Sequence, residues 1–328
     1  SSTKKSERNK ILQKLKNGET NVLIGTHSLL NDELIYNNLG LVITDEQHRF
    51  GVNQRQILQE KGKDVDVLYM SATPIPRTLA LTIYGDMDIT EIRSKPGGRK
   101  EIITKIFKNS ELKNGLEQML DEIKAGHQIY VVAPLIDDEE DEKMNVTSLK
   151  DKFDMAFNGM VPTGVLHGKM KSNQKDEVMN SFKNGDTKIL ISTTVIEVGV
   201  DVKNATMMVI FNAERFGLAT LHQLRGRVGR NDMQSYCYLI SDYDAERLKV
   251  LEQSNDGFYI SEQDFKLRGG GDIFGIRQSG EQSFKIANLN RDYKILMQCK
   301  SDAEEFLKSK NLDDYKVQKE ILENLTIA

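Results

Sequence analysis

Short runs of consecutive apolar residues alternate along this chain with stretches whose apolar positions return at helical spacing. Runs of strand length that are apolar throughout read as strands buried on both faces, and their alternation with amphipathic helices is the pattern of βαβ units and a parallel sheet. A first helix is expected around Ile11, Leu12 and Leu15, closed by Gly18 at its C-cap. Strands are expected at Val22–Gly25, Leu41–Thr44, Val67–Met70 and Ile89–Ile92. Lys95-Pro96-Gly97-Gly98 then punctuates the chain, because proline and paired glycine break regular structure. A second series follows, with strands expected at Ile102–Phe107, Gln128–Ala133, Val161–Leu166, Ile189–Ser192, Met207–Phe211 and Tyr236–Ile240. From about Asp244 to Ala328 the pattern is helical, interrupted by the glycine-rich Leu267–Gly280. The expected organisation is an α/β chain in three parts, residues 1–97, 98–243 and 244–328.

Composition narrows the class. At 328 residues, with 38% hydrophobic and 29% charged positions, the chain exceeds the size at which one core keeps growing, so more than one core is expected. Cys237 and Cys299 are too few and too scattered for a disulfide framework or a zinc site, and no apolar stretch reaches the roughly 18 residues a membrane span needs. A reduced, cytoplasmic compartment is expected. Ser1 to Lys10 is polar and basic and lacks the apolar segment of a secretory signal, and without an initiating Met the first residue reads as a cut through a longer protein. A net charge of -4 argues against gripping nucleic acid by bulk positive charge, while leaving room for local clusters. The acidic run Asp137 to Glu142 reads as a solvated loop. Arg93, Lys95, Arg99, Lys100, Lys105 and Lys108 form a basic stretch that suits either phosphate contact or a lysine-rich linker.

Chemistry on a parallel sheet gathers at the carboxyl ends of its strands. Asp45 and Glu46 directly follow the Leu41 strand, where Asp45 is placed to hold magnesium and Glu46 to polarise a water attacking a γ-phosphate. Adjacent carboxylates there also suit a plain helix cap. Ser71, Ala72 and Thr73 follow the next strand and can exchange hydrogen bonds with the carboxylate loop, although Ser-Ala-Thr before Pro74 is also an ordinary turn. Thr26 and His27 suit contacts to a nucleic acid backbone, with a capping Thr and a satisfied His as the plain reading. In the second series His167, Gly168, Thr193 and Thr194 occupy corresponding strand ends, and Glu197, Gly199 and Asp201 follow. Arg227 and Arg230, three residues apart and expected near the start of a helix, would project on one face toward developing phosphate charge. Gly226 and Gly229 beside them are tolerated best where backbone must approach something closely. No G-x-x-x-x-G-K-[ST] loop occurs, so a phosphate-cradling loop is expected upstream of Ser1.

Taken in order, Gly25-Thr26-His27, Asp45-Glu46-Gln47-His48-Arg49-Phe50-Gly51-Val52, Ser71-Ala72-Thr73-Pro74-Ile75-Pro76-Arg77-Thr78, Thr193-Thr194-Val195-Ile196-Glu197-Val198-Gly199-Val200-Asp201 and Gln223-Leu224-Arg225-Gly226-Arg227-Val228-Gly229-Arg230 resemble the ordered motifs of superfamily-two helicases. The phrasing is close to the RecG family of branched-DNA helicases, whose tail is resembled by Leu267 to Gly280 and by Phe284-Lys285-Ile286-Ala287-Asn288-Leu289. The resemblance runs over nearly the whole chain.

It implies RecA-like parallel sheets flanked by helices, a partial first motor domain and a complete second one, with a helical C-terminal extension. It also implies ATP and Mg2+ as cofactors and branched double-stranded DNA at stalled forks and Holliday junctions as substrate. A monomer in the intact protein, a single-stranded DNA-binding protein as a further partner and a nucleoid-associated cytoplasmic location follow from the same resemblance. By the motifs, the catalytic set is Asp45, Glu46, His48, Gln223, Arg227 and Arg230, with Gly199 and Asp201 added for nucleotide binding. Thr26, His27, Ser71, Thr73, His167, Gly168, Thr193, Thr194, Arg268, Arg277 and Gln278 are the DNA-binding or coupling set. The segment from Asp244 to Gly280 matches the family's helical hairpin and loop, which convert motor closure into movement along duplex. Gly270 stands where the family has proline and Ile276 where it has threonine, a change that widens the unfolded ensemble of that loop. With the phosphate loop and wedge domain expected upstream, the chain alone is expected neither to hydrolyse ATP appreciably nor to unwind DNA. The first unit is also expected to expose a sheet edge prone to pairing with another chain. Two other readings stay open: a translocase like the transcription-repair coupling factor Mfd, disfavoured by Phe284 to Asp292, and a non-catalytic nucleic-acid-binding module, disfavoured by retention of Asp45, Glu46, Arg227 and Arg230.

Overall fold

The structure is a computed structural model that describes residues 5–26, 29, 34–46, 65–72, 74, 88–94, 97–134, 139–193, 202–268 and 292–309. The chain packs as two compact units, Ser1–Pro74 and Ile75–Ala328.

The first unit opens with α1 (Lys5–Lys16). The helix stops where Gly18 takes a left-handed φ of +76°, and the N–H of Glu19 donates to Lys14 O at 2.9 Å, closing the last turn as expected of a glycine C-cap. Strands β1 (Leu41–Thr44) and β2 (Asp66–Tyr69) pair in parallel, with Leu41 opposite Asp66 and Thr44 opposite Tyr69. Val22–Gly25 is not a strand, against the sequence expectation. Apolar content alone does not make a strand without a neighbour to complete its hydrogen bonds; among the described residues Val22–Gly25 joins no ladder, and Val22 and Ile24 stand 76% and 90% exposed.

The second unit is built on a six-stranded, all-parallel sheet of β3 (Ile103–Phe107), β4 (Gln128–Val132), β5 (Thr163–Leu166), β6 (Ile189–Ser192), β7 (Ala205–Phe211) and β8 (Tyr236–Ile240), in the order β3-β8-β7-β4-β6-β5. The central strands are largely apolar because both faces are covered: successive side chains point to opposite sides, so Tyr130 and Val132 enter one core while Ile129 and Val131 enter the other. Helices α2 (Leu112–Lys124) and α3 (Glu139–Ala156) supply Met119, Val146, Leu149 and Phe153 to the Ile129 side. Helices α4 (Ser172–Asn184), α5 (Leu218–Arg225), α6 (Glu246–Gln253) and α7 (Gly257–Arg268) supply Phe182, Leu218, Leu221, Leu248, Leu251 and Ile260 to the Tyr130 side. Each such aliphatic or aromatic side chain taken from water contributes about 1.5–3 kcal/mol before entropy is counted. A further helix, α8, spans Tyr293–Ser309.

Two expectations change here. Ile89–Ile92 is not a strand, and Ile92 is 81% exposed, so residues 88–94 form a lead-in to the second sheet that joins no ladder. Glu139 to Glu142 form the first turn of α3 rather than a loop. The expected linker residues Gly97 and Gly98 lie in a turn that belongs to the second unit.

Candidate functional site

In the first unit, β1 delivers Asp45 and Glu46 at its carboxyl end, and β2, its parallel neighbour, delivers Ser71 at the adjacent end. Met70 N donates to Thr44 O at 2.8 Å, which keeps the two ends in step as the strands finish. Asp45 is exposed, and its Oδ1 accepts the N–H of Glu46 at 2.9 Å. Glu46 itself adopts φ +52°, a left-handed conformation that side chains other than glycine enter at a cost of order 1 kcal/mol. An exposed carboxylate at a strand end, followed by a second half-buried carboxyl, is the donor set a phosphate-bound magnesium and its attacking water would use. Thr26 follows the irregular Val22 segment, and its carbonyl accepts the N–H of Leu29 at 2.9 Å, placing it at the start of a short turn. His27, His48 and Thr73 lie outside the described residues.

In the second unit, His167 and Thr193 follow β5 and β6, which are paired neighbours with Leu166 opposite Ser192. The N–H of Thr193 donates to Leu166 O at 3.3 Å, so the two residues meet at one corner of the carboxyl edge. Among the described residues, buried His167 Nδ1 and Thr193 Oγ1 have no hydrogen-bond partner, although Thr193 is fully buried. Buried polar atoms left unpaired cost roughly 1–3 kcal/mol each, so two at one corner mark a place where a ligand oxygen would be welcome. Gly168 is exposed, its carbonyl accepting Lys175 Nζ at 2.5 Å, and Lys169 and Lys171 complete a basic loop in front of α4. Thr194, Gly199 and Asp201 lie outside the described residues.

The arginines occupy a different local structure from the one the spacing predicts. Helix α5 ends at Arg225 with Gly226 as its C-cap, so Arg227 and Arg230 lie in the turn and coil that follow it, not near the start of a helix. Arg230 Nε donates back to Gly226 O at 3.1 Å, and both arginines are half-buried. The reason is Gly229, whose φ of +72° takes the chain out of helical geometry and whose missing side chain makes room: a Cβ there would sit 2.9 Å from Ile102 Cγ1. The close approach expected of these glycines is therefore present at Gly229. Gln223 sits on α5 itself, half-buried.

A further residue, not singled out from sequence, organises this loop. Arg225 is 2% exposed, yet it follows Leu218 and Leu221 by seven and four positions, which places it on the apolar stripe of α5. Its Nη1 donates to Thr104 Oγ1, Leu251 O and Ser254 O at 3.2, 2.7 and 2.9 Å, and its Nη2 lies 3.1 Å from His222 Nδ1. Burial pushes its guanidinium pKa below the usual arginine value. The orphan carbonyls at the end of α6 thereby receive a cationic donor, and the arginine-bearing loop and the α6–α7 pair are braced together. The sequence signal was a charged residue on a helical apolar stripe. Arg268 is the last residue of α7, while Arg277, Gln278 and the departures Gly270 and Ile276 lie outside the described residues.

Comparison with known proteins agrees with this architecture. The family described as helicase conserved C-terminal domain matches residues 111–232, DEAD/DEAH box helicase matches residues 1–82, and "ATP-dependent DNA helicase RecG, domain 3, C-terminal" matches residues 254–325. The chain is 50% identical over 314 residues to an ATP-dependent DNA helicase RecG of Staphylococcus aureus, an alignment covering 94% of this chain and 46% of that protein. A RecG of Staphylococcus epidermidis is 49% identical over the same extent. The chain thus spans about half the length of the curated relatives it matches. A solved structure, RecG bound to a three-way DNA junction, is similar with a TM-score of 0.67 and 44% identity over 90% of this chain and 38% of that one. The helicase MrfA bound to DNA and AMPPNP shares the fold at a TM-score of 0.55 and 18% identity, over 79% of this chain and 39% of that one. Among the described residues no helix is long and apolar enough to cross a membrane. The chain, an α/β protein with a RecA-like parallel sheet, belongs to the RecG helicases and represents the C-terminal portion of that family.

Proposed function

We propose that this chain carries part of an ATP-driven motor that moves along double-stranded DNA and remodels branched junctions. Residues 1–97 would contribute the carboxylate side of the nucleotide site, residues 98–243 the second motor domain and residues 244–328 the element that turns closure into movement. The observation that carries the reading is the Arg225 brace, because a loop bearing two arginines can drive a helical pair only if the two move together.

In this reading Asp45 would supply an oxygen to hold magnesium, and Glu46 would accept a hydrogen bond from the water that lies in line with the γ-phosphate. Asp45 would be the residue that holds a phosphate-bound magnesium, which when bound would supply charge neutralisation at the phosphates. By resemblance, Arg227 and Arg230 would serve as arginine fingers that place guanidinium charge on a nucleotide phosphate, an effect worth about 10³–10⁵ in rate in comparable motors. His48, Gln223, Gly199 and Asp201 complete the nucleotide set by resemblance. His167 and Thr193 would receive a DNA backbone phosphate at the corner where, among the described residues, His167 Nδ1 and Thr193 Oγ1 stand unpaired, with Gly168 and Thr194 added by resemblance. Thr26, His27, Ser71 and Thr73 would hold the strand against the first unit, while Arg268, Arg277 and Gln278 would serve the coupling loop. Binding of a three-way junction by the related RecG supports branched DNA as the substrate.

The test is DNA-stimulated ATP hydrolysis by the intact protein. Arg230→Ala should lower turnover at least about 10³-fold while leaving junction affinity within a few-fold. An Arg230→Ala protein that keeps a tenth of wild-type turnover would refute the assignment.

A further inference from the structure

The lead-in to the second sheet is fastened to the helical pair by a contact separate from Arg225. Arg93 donates from Nε and Nη2 to Glu91 Oε2 at 3.0 and 2.6 Å, which lays its guanidinium plane out as a rigid fork. The carbon of that guanidinium lies 4.6 Å from the ring centroid of Phe258, in the first turn of α7. Phe258 is fixed in turn: its N–H donates to Asp256 Oδ1 at 2.9 Å, and the N–H of Asp256 donates to Ser254 Oγ at 3.1 Å. From the same turn Asn255 Nδ2 reaches back to Ile102 O at 3.1 Å, directly ahead of β3. Asp256 and Glu262 add negative charge on the α6–α7 side, and together with Glu91, the largest influence, they hold Arg93 in its charged form.

The turn between α6 and α7 is therefore gripped from two directions. Arg225 holds it from the arginine-bearing loop, and Arg93 in the lead-in and Ile102 ahead of β3 hold it from the other side. The two grips differ in strength. The Arg225 grip is buried, whereas the Arg93 side chain is 60% exposed. A cation over an exposed aromatic face shifts an equilibrium by only a factor of about two to five. That is too little to hold the fold together and suitable for a contact that opens and closes during a cycle.

Resting on the motor reading above, we propose that Arg93 and Phe258 form a clasp that keeps the lead-in segment in register with the α6–α7 turn, so that displacement of the lead-in is delivered to the helical pair. Arg93 is then a positioning residue for translocation. Part of the basic stretch is thereby assigned to an intramolecular contact instead of DNA phosphate.

The experiment uses the intact protein with Arg93→Ala, Phe258→Leu, the double variant and Phe258→Tyr, which keeps the ring face. Hydrogen exchange of residues 88–94 reads the clasp itself, and ATP consumed per base pair unwound on a branched DNA reads its use. Arg93→Ala and Phe258→Leu should each raise both quantities about two- to five-fold, the double variant no further, and Phe258→Tyr should stay at wild type. Additive effects in the double variant, or an unchanged ATP cost per base pair, would overturn the clasp. So would a raised DNA concentration for half-maximal turnover at constant ATP cost, which identifies Arg93 as a phosphate contact. Wild-type protein without any DNA-stimulated turnover would overturn the motor reading and the clasp with it, whereas normal wild-type turnover with unaltered variants overturns the clasp alone.

Discussion

Replacing Arg225 by alanine removes one guanidinium and deprives two backbone carbonyls of their donor. Leu251 O and Ser254 O, bonded at 2.7 and 2.9 Å, stand at the end of α6, where helix carbonyls have no intrahelical partner. Leaving each unsatisfied costs about 1–3 kcal/mol, and the cavity left by a side chain only 2% exposed adds to that. Against this stands the desolvation of a buried cation, which the alanine variant no longer bears and which returns a few kcal/mol. The net loss expected is about 2–4 kcal/mol for Arg225→Ala. Arg225→Met keeps the volume and sheds the charge, so its loss should be smaller, about 1–2 kcal/mol. Arg225→Lys keeps the charge but cannot span Thr104, Leu251, Ser254 and His222 with one planar fork, and should fall between them. In a unit of this size each kcal/mol moves the melting temperature by about 2–4 °C, so Arg225→Ala should lower the transition of the second unit by roughly 5–15 °C. Differential scanning calorimetry of this chain measures it. An Arg225→Ala transition within about 2 °C of wild type, with Arg225→Met no different, would refute the brace.

Two further outcomes test the same region. Gly229→Ala forces a side chain into φ +72° and to within 2.9 Å of Ile102 Cγ1, so it should cost about 1–3 kcal/mol in urea unfolding. Adding Ile102→Ala should recover part of the loss. Burial pushes the Cys237 thiol from 9.0 up to about 12, above its value in the unfolded chain. The unfolded thiol ionises first, so the stability contributed by the neutral thiol is fully present below pH 9 and is lost as pH rises toward 12. Cys237→Ala should flatten the alkaline stability profile over that window by up to about 1.4 kcal/mol per pH unit. Identical slopes in the two proteins would show that the thiol does not titrate with unfolding.

Strands that sit between two covered faces announce themselves as largely apolar runs, and Ile189–Ser192 and Tyr236–Ile240 fall where that rule puts them, whereas Leu41–Thr44 forms its strand with Leu41 and Ile43 exposed. The same rule misleads at Val22–Gly25 and Ile89–Ile92, because a run of apolar residues does not reveal whether a partner lies alongside. Motif chemistry behaves likewise. Spacing brings Asp45 and Glu46 to a strand end, since the strand is local, but it places Arg227 and Arg230 on a helix that Gly226 and Gly229 terminate.

By itself, then, the chain of residues determined the alternating α/β pattern, the ends of the best strands and the order of motifs that marks the helicase family, all of which depend on near neighbours. Only the tertiary structure decided the strand order β3-β8-β7-β4-β6-β5, the pairing of the His167 and Thr193 corner, and the burial of Arg225 against the end of α6. Those features join residues far apart in the chain, and no local periodicity encodes which distant backbone group a buried donor will find. Arg225 shows the difference in one residue: its place on an apolar helical stripe is written in the sequence, but the carbonyls it satisfies are supplied by a helix that begins more than twenty positions later.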